Sequence, residues 1–167
     1  MSRLLIIGFG NPLRSDDAVG WHLARRLSAE LTNRDVEVIA AHQLLPEMAE
    51  DVSRAERVLF IDAATEGKPG TVRCERVSPA VAGRADTHQL SPAVILRMEQ
   101  ELYGRCPSAF LLTVTGECFE TGDKMSDAVS SALPALLAEV RHFVEGRGSY
   151  QGAASAAPSA STNEDGL

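Results

Sequence analysis

The chain has 167 residues, 44% hydrophobic and 23% charged, with a formal net charge of −7; a domain of this size can bury roughly 70% of its unfolded surface and needs no covalent staples. The negative balance and the scattered Lys and Arg exclude a nucleic-acid partner. The three cysteines, Cys74, Cys106 and Cys118, have neither disulfide-framework nor zinc-knuckle spacing, and no apolar run approaches bilayer length or resembles a signal peptide, so a cytoplasmic protein without membrane association is expected.

Arg3-Leu4-Leu5-Ile6-Ile7 is a short apolar run ended by glycines, the pattern of a strand buried on both faces of a parallel sheet. Val19, Leu23 and Leu27 recur at helical spacing and predict an amphipathic helix from about Asp17 to Glu30. Val36 to Ala41 reads as a second strand, Leu45 to Arg54 as a weak helix, and Val58-Leu59-Phe60-Ile61 as a third buried strand ending at Asp62, an order that implies right-handed crossovers. Thr65 to Gly70 is too short for a crossover helix, and Pro69-Gly70 suits the middle of a type II turn, so Val72 to Val77 should run antiparallel at an edge.

After a long connection, Ser91-Pro92 has the order of an N-cap and a first helical proline; Ile95, Met98 and Leu102 form the expected buried stripe, and Leu90 with Ile95 a hydrophobic staple. Phe110 to Val114 reads as the last strand. Val129, Leu133, Leu136, Val140 and Val144 mark a closing helix, with Pro134 as its kink or late start. The expected whole is a single three-layer α/β domain over residues 1–146: a mainly parallel twisted sheet of about five strands, one antiparallel edge strand, and helices on both faces. Residues 147–167, rich in Gly, Ala and Ser, are expected to form a disordered tail.

The loop from Gly8-Phe9-Gly10-Asn11 to Asp16-Asp17 and Gly20 does not fit a dinucleotide site, because Leu13 stands where a third glycine belongs and His42 follows the second strand where a ribose-binding acid would stand. Asp16 and Asp17 would ordinarily be helix caps. Asp62, however, comes at the carboxyl end of a strand, the edge where α/β proteins keep their ligands, so Asp17 and Asp62 are expected to face one crevice. The connection from Ser78 to Leu90 spans thirteen residues, long enough at up to roughly 40 Å to carry His88 to the same edge. Two carboxylates and one imidazole make an open first shell suited to a borderline divalent metal such as nickel or zinc.

Gly8-Phe9-Gly10-Asn11 with Asp16-Asp17 and Gly20, then Phe60-Ile61-Asp62-Ala63, then Thr87-His88-Gln89-Leu90-Ser91, resembles the hydrogenase maturation endopeptidase family over roughly Arg3 to Val144. The resemblance implies a twisted sheet covered by helices, and an endopeptidase that trims a C-terminal extension from the nickel-loaded large-subunit precursor of a nickel-iron hydrogenase, the bound nickel serving as the recognition signal. It places the metal ligands on Asp17, Asp62 and His88, which are also the catalytic candidates, and leaves Asp16 and Asn11 without a ligand role. Nickel is expected to arrive with the precursor, no organic cofactor is expected, and a monomer suffices for a one-to-one complex.

Without a nucleophile elbow, and with no cysteine in the three motifs, the attacking group is expected to be water, activated by metal or by an aspartate. His42 is a departure from the family pattern and is expected to border the substrate cleft and tune precursor choice. Two other readings remain: a non-catalytic nickel-sensing adaptor of the same fold, and a receiver-type phosphoacceptor. The latter requires a lysine after the last strand, and Thr113-Val114-Thr115-Gly116-Glu117 contains none.

Overall fold

The computed structural model describes residues 3–81 and 90–146. Its elements run β1 (Leu4–Phe9), a 3-10 turn (Ser15–Ala18), α1 (Val19–Glu30), β2 (Val36–Ala41), α2 (Met48–Ser53), β3 (Arg57–Ala64), β4 (Val72–Val77), α3 (Pro92–Tyr103), β5 (Ser108–Thr115) and α4 (Asp127–Val144). They form a five-stranded sheet in the order β2-β1-β3-β5-β4. β1, β2, β3 and β5 pair in parallel, and β4 lies antiparallel to β5 at one edge, as its short preceding turn requires.

Alternation along the strands divides the interior into two cores. Leu4 and Ile6 of β1 and Leu59 and Ile61 of β3 meet Val19, Leu23 and Leu27 of α1 and Val129, Leu136 and Val140 of α4. Leu5 and Ile7, with Val58 and Phe60, point the other way, onto Met48 and Val52 of α2 and Ile95 and Leu96 of α3. Each such buried apolar side chain contributes about 1.5–3 kcal/mol. The continuous apolar runs of β1 and β3 are therefore what a sheet covered on both faces demands.

Four expectations are corrected. β3 does not end at Asp62: Asp62, Ala63 and Ala64 continue the ladder by pairing with Thr113, Val114 and Thr115 of β5. The first helix begins with a separate 3-10 turn, and regular α-helix starts only at Val19. On α3 the buried face is centred on Ile95, Leu96 and Glu99, which leaves Leu102 67% exposed. Glu99 is wholly buried, and burial pushes its pKa up against a backbone hydrogen bond from Arg105 and the positive charge of that residue. Finally, α4 runs unbroken through Pro134 from a Ser126 cap whose Oγ accepts the Val129 N–H at 3.4 Å, so Pro134 is no late start. The Ser91 cap and Pro92 at the head of α3 are as expected, with Ser91 Oγ accepting the Val94 N–H at 3.3 Å.

No helix among the described residues is long and apolar enough to cross a membrane. The expected tail, residues 147–167, lies outside the described residues.

Candidate functional site

Because β1 leads to β2 on one side and the chain then crosses back to place β3 on the other, the strand order reverses between β1 and β3. Crevices of open α/β sheets form at such a reversal, outside the carboxyl ends of the strands. The last pair between β1 and β3 is Gly8 with Ile61, so Asp62 is the first β3 residue whose β1 side is open. Asp17 arrives at the same place from the 3-10 turn that follows β1. Both carboxylates line one cleft of about 750 Å3, together with Asn11, Leu13, Arg14, His42, Leu45 and Leu90 among others.

Close packing of α1 on the sheet makes this possible. A Cβ on Gly20 would collide with the main-chain carbonyl oxygens of Ile61 and Phe9, and one on Gly8 with the carbonyl of Gly20. Gly8 and Gly20 thus let the head of α1 sit against the main chain of β1 and β3. That approach delivers Asp17 to Asp62.

Hydrogen bonds set the orientation of each carboxylate. Asp17 Oδ2 accepts the Asn11 N–H at 2.8 Å, while Asn11 Oδ1 accepts the Leu13 N–H at 2.9 Å, so Asn11 shapes the loop and holds Asp17. Asp62 Oδ1 accepts the N–H of Ala63 at 2.8 Å. Burial pushes Asp62 from the ordinary 3.8 up to about 7, against the Ala63 hydrogen bond and with the help of the negative charge on Asp17. The Asp17 contribution is the electrostatic sign that the two carboxylates are neighbours.

Asp16 points the other way. It is wholly buried. Its Oδ2 accepts the N–H groups of Glu117 and Cys118 at 2.8 and 3.0 Å and the hydroxyl of Ser126 at 2.8 Å, while Oδ1 accepts the Ser126 N–H at 2.7 Å. Burial by itself would raise its pKa, but these hydrogen bonds hold it below the usual carboxylate value. The second acid of the pair is therefore a clamp between the 3-10 turn and the β5–α4 connection. The sequence set it apart from Asp17 through the family resemblance, which leaves Asp16 without a ligand role, and gave no sign of the clamp.

His42 borders the cleft, its ring edge-on to Trp21 with centroids 5.7 Å apart. Cys118 gives the site no thiol among the groups lining the cleft; its main chain serves the Asp16 clamp. His88, the third residue expected here, lies outside the described residues. Among the described residues no three His, Cys, Asp or Glu side chains form a metal-binding group. Leu13 and Arg14, which the sequence did not single out, also line the cleft.

The family model described as hydrogenase maturation protease, HycI, matches residues 21–142, a span that includes Asp62 and His88 and begins after Asp17. Comparison with the curated proteins gives no match. Among solved structures, the chain is similar to a nickel-iron hydrogenase maturation protease HycI from Thermococcus kodakarensis KOD1, with 20% identity and a TM-score of 0.71 over 86% of this chain and 93% of that one. The hydrogenase maturating endopeptidase HybD from E. coli is 21% identical, with a TM-score of 0.71 over 87% and 94% of the two chains. An endopeptidase from Escherichia coli is 24% identical, with a TM-score of 0.69 over 87% and 94%. At these identities the structures establish the fold, and the family match, which spans most of the sequence, goes further: the chain belongs to the hydrogenase maturation protease family.

Proposed function

We propose that this protein is a cytoplasmic, monomeric endopeptidase that removes a C-terminal extension from the nickel-loaded large-subunit precursor of a nickel-iron hydrogenase, recognising the nickel already held by that substrate. The observation that carries the reading is the pairing of Asp17 and Asp62 at the strand-order reversal, in a cleft open to a polypeptide.

The donor chemistry fits a divalent ion presented by the precursor. Two carboxylates share the cleft, and neither is in an ion pair among the described residues. The negative charge of Asp17 works against ionisation of Asp62, a repulsion that a cation between them would relieve. Asp17 and Asp62 would supply oxygen donors and His88 an imidazole nitrogen, a set that nickel accepts. Peptide hydrolysis breaks the C–N bond, adds water across it and carries a proton to the leaving amine; a cleft carboxylate is a group able to receive and return that proton. Asp17, Asp62 and His88 thus stand as one set of metal-recognising and catalytic residues.

The test is the intact mass of nickel-loaded and nickel-free precursors incubated with the protein. Loss of a C-terminal peptide from the loaded form alone, abolished in folded Asp17→Ala, Asp62→Ala and His88→Ala variants, is the expected result. Binding without any mass loss would replace the endopeptidase with a nickel-sensing adaptor, and normal processing by the Asp62 variant would remove it from the set.

A further inference from the structure

Two side chains at the rim of the cleft have no part in recognising metal. Leu13 is 65% exposed and Arg14 is also exposed, and both line the cleft beside Asp17. Their main chain is nonetheless tightly held. The Leu13 carbonyl accepts the Gly122 N–H at 2.9 Å, the Ser15 N–H donates to the Gly122 carbonyl at 2.9 Å, and Ser15 Oγ donates to the Glu120 carbonyl at 2.8 Å. On the other side, the Leu13 and Arg14 N–H groups donate to Asn11 Oδ1 at 2.9 Å and to the Asn11 carbonyl at 3.1 Å. Ser15 adopts φ 51, a left-handed conformation unfavourable for a residue with a Cβ. A strained, doubly anchored loop that exposes a leucine and an arginine loses little conformational freedom when they engage a ligand.

Charge identifies the ligand. Arg14 is the only lysine or arginine among the described residues lining the cleft, and it forms no ion pair among them. A guanidinium fork is shaped for two parallel hydrogen bonds to a carboxylate, and a neighbouring exposed leucine suits an apolar side chain on the same peptide. Every C-terminal extension ends in an α-carboxylate, and acidic side chains within it are the second source of the same group.

We propose that Leu13 and Arg14 form a specificity subsite for the precursor's C-terminal extension, with Arg14 pairing with a carboxylate of that peptide and Leu13 packing on an adjacent apolar side chain. The inference rests on the endopeptidase reading above. It is tested by steady-state processing of nickel-loaded precursor by the wild type and by Arg14→Gln, Arg14→Lys and Leu13→Ser variants, with unchanged thermal unfolding as the check of folding. Arg14→Gln is expected to raise KM about ten-fold with kcat nearly unchanged, Arg14→Lys to recover part of the loss, and Leu13→Ser to raise KM less. Three altered precursors then follow: acidic side chains replaced by amides, the C-terminus amidated by ligation, and both changes together. The Arg14→Gln penalty should vanish with the doubly neutral precursor, and the single changes show which carboxylate is bound. An unchanged KM in Arg14→Gln, or a penalty that persists on the doubly neutral precursor, overturns the subsite. Failure of the wild type to process any loaded precursor overturns the endopeptidase reading and the subsite with it, and is distinguished by appearing without any substitution.

Discussion

Replacing Asp16 with alanine should be among the most destabilising single changes in this protein that leave its apolar cores intact. The carboxylate accepts four hydrogen bonds, from the N–H groups of Glu117, Cys118 and Ser126 and from the Ser126 hydroxyl. Hydrogen bonds to a charged group contribute about 1.5–3 kcal/mol each when taken singly, but these share one acceptor and do not add, so the expected loss is about 3–5 kcal/mol. In urea unfolding at neutral pH, with a slope of about 2 kcal/mol per molar, the midpoint should fall by about 2 M. The sign with pH follows from a folded-state pKa held below the ordinary 3.8. The stabilisation is present above the unfolded value and is lost as pH falls through the folded one, so the gap between wild type and variant should close in acid. Ser126→Ala should be non-additive with Asp16→Ala, because both break one network. A loss below about 1 kcal/mol, or a gap that does not narrow in acid, would refute the clamp.

Asp62 carries the opposite sign. Its pKa in the folded protein, about 7 against an ordinary 3.8, means that the folded state holds the proton more tightly than the unfolded chain. That stabilisation is complete below the unfolded value and is lost as pH rises through about 7, a span that amounts to at most about 4 kcal/mol. Asp62→Asn should therefore gain stability relative to wild type between pH 5 and 8 in the absence of precursor, and parallel urea curves at the two pH values would contradict the raised pKa. Gly20→Ala forces a Cβ into the carbonyls of Ile61 and Phe9 and should cost more than about 2 kcal/mol through overpacking. It should also reduce processing by moving Asp17 from Asp62; a fully stable, fully active variant would show that α1 does not need this close approach.

The elements that the sequence settled by itself are those where one local rule dominates. β1 and the middle of β3 are continuous apolar runs that only a doubly covered sheet can bury, Ser91-Pro92 marks the head of α3 by capping chemistry, and the brevity of the Pro69-Gly70 turn forces β4 antiparallel. Asp17 and Asp62 were likewise identifiable as crevice residues, since strand order and strand ends place them there. Local pattern could not separate Asp16 from Asp17, which only the family resemblance told apart: adjacent acids look alike until one finds the donors of a loop about a hundred residues away and the other the cleft. It also could not place Glu99 inside and Leu102 outside on α3, because periodicity defines a stripe while the packing partner selects its centre. The length of β3 and the exposed, anchored pair Leu13 and Arg14 were decided in the same way, by β5 and by the Glu120–Gly122 segment. Local sequence carries conformational preference and burial pattern, whereas the direction of a polar side chain and the end of a strand depend on partners distant in the chain, which only the tertiary structure brings near.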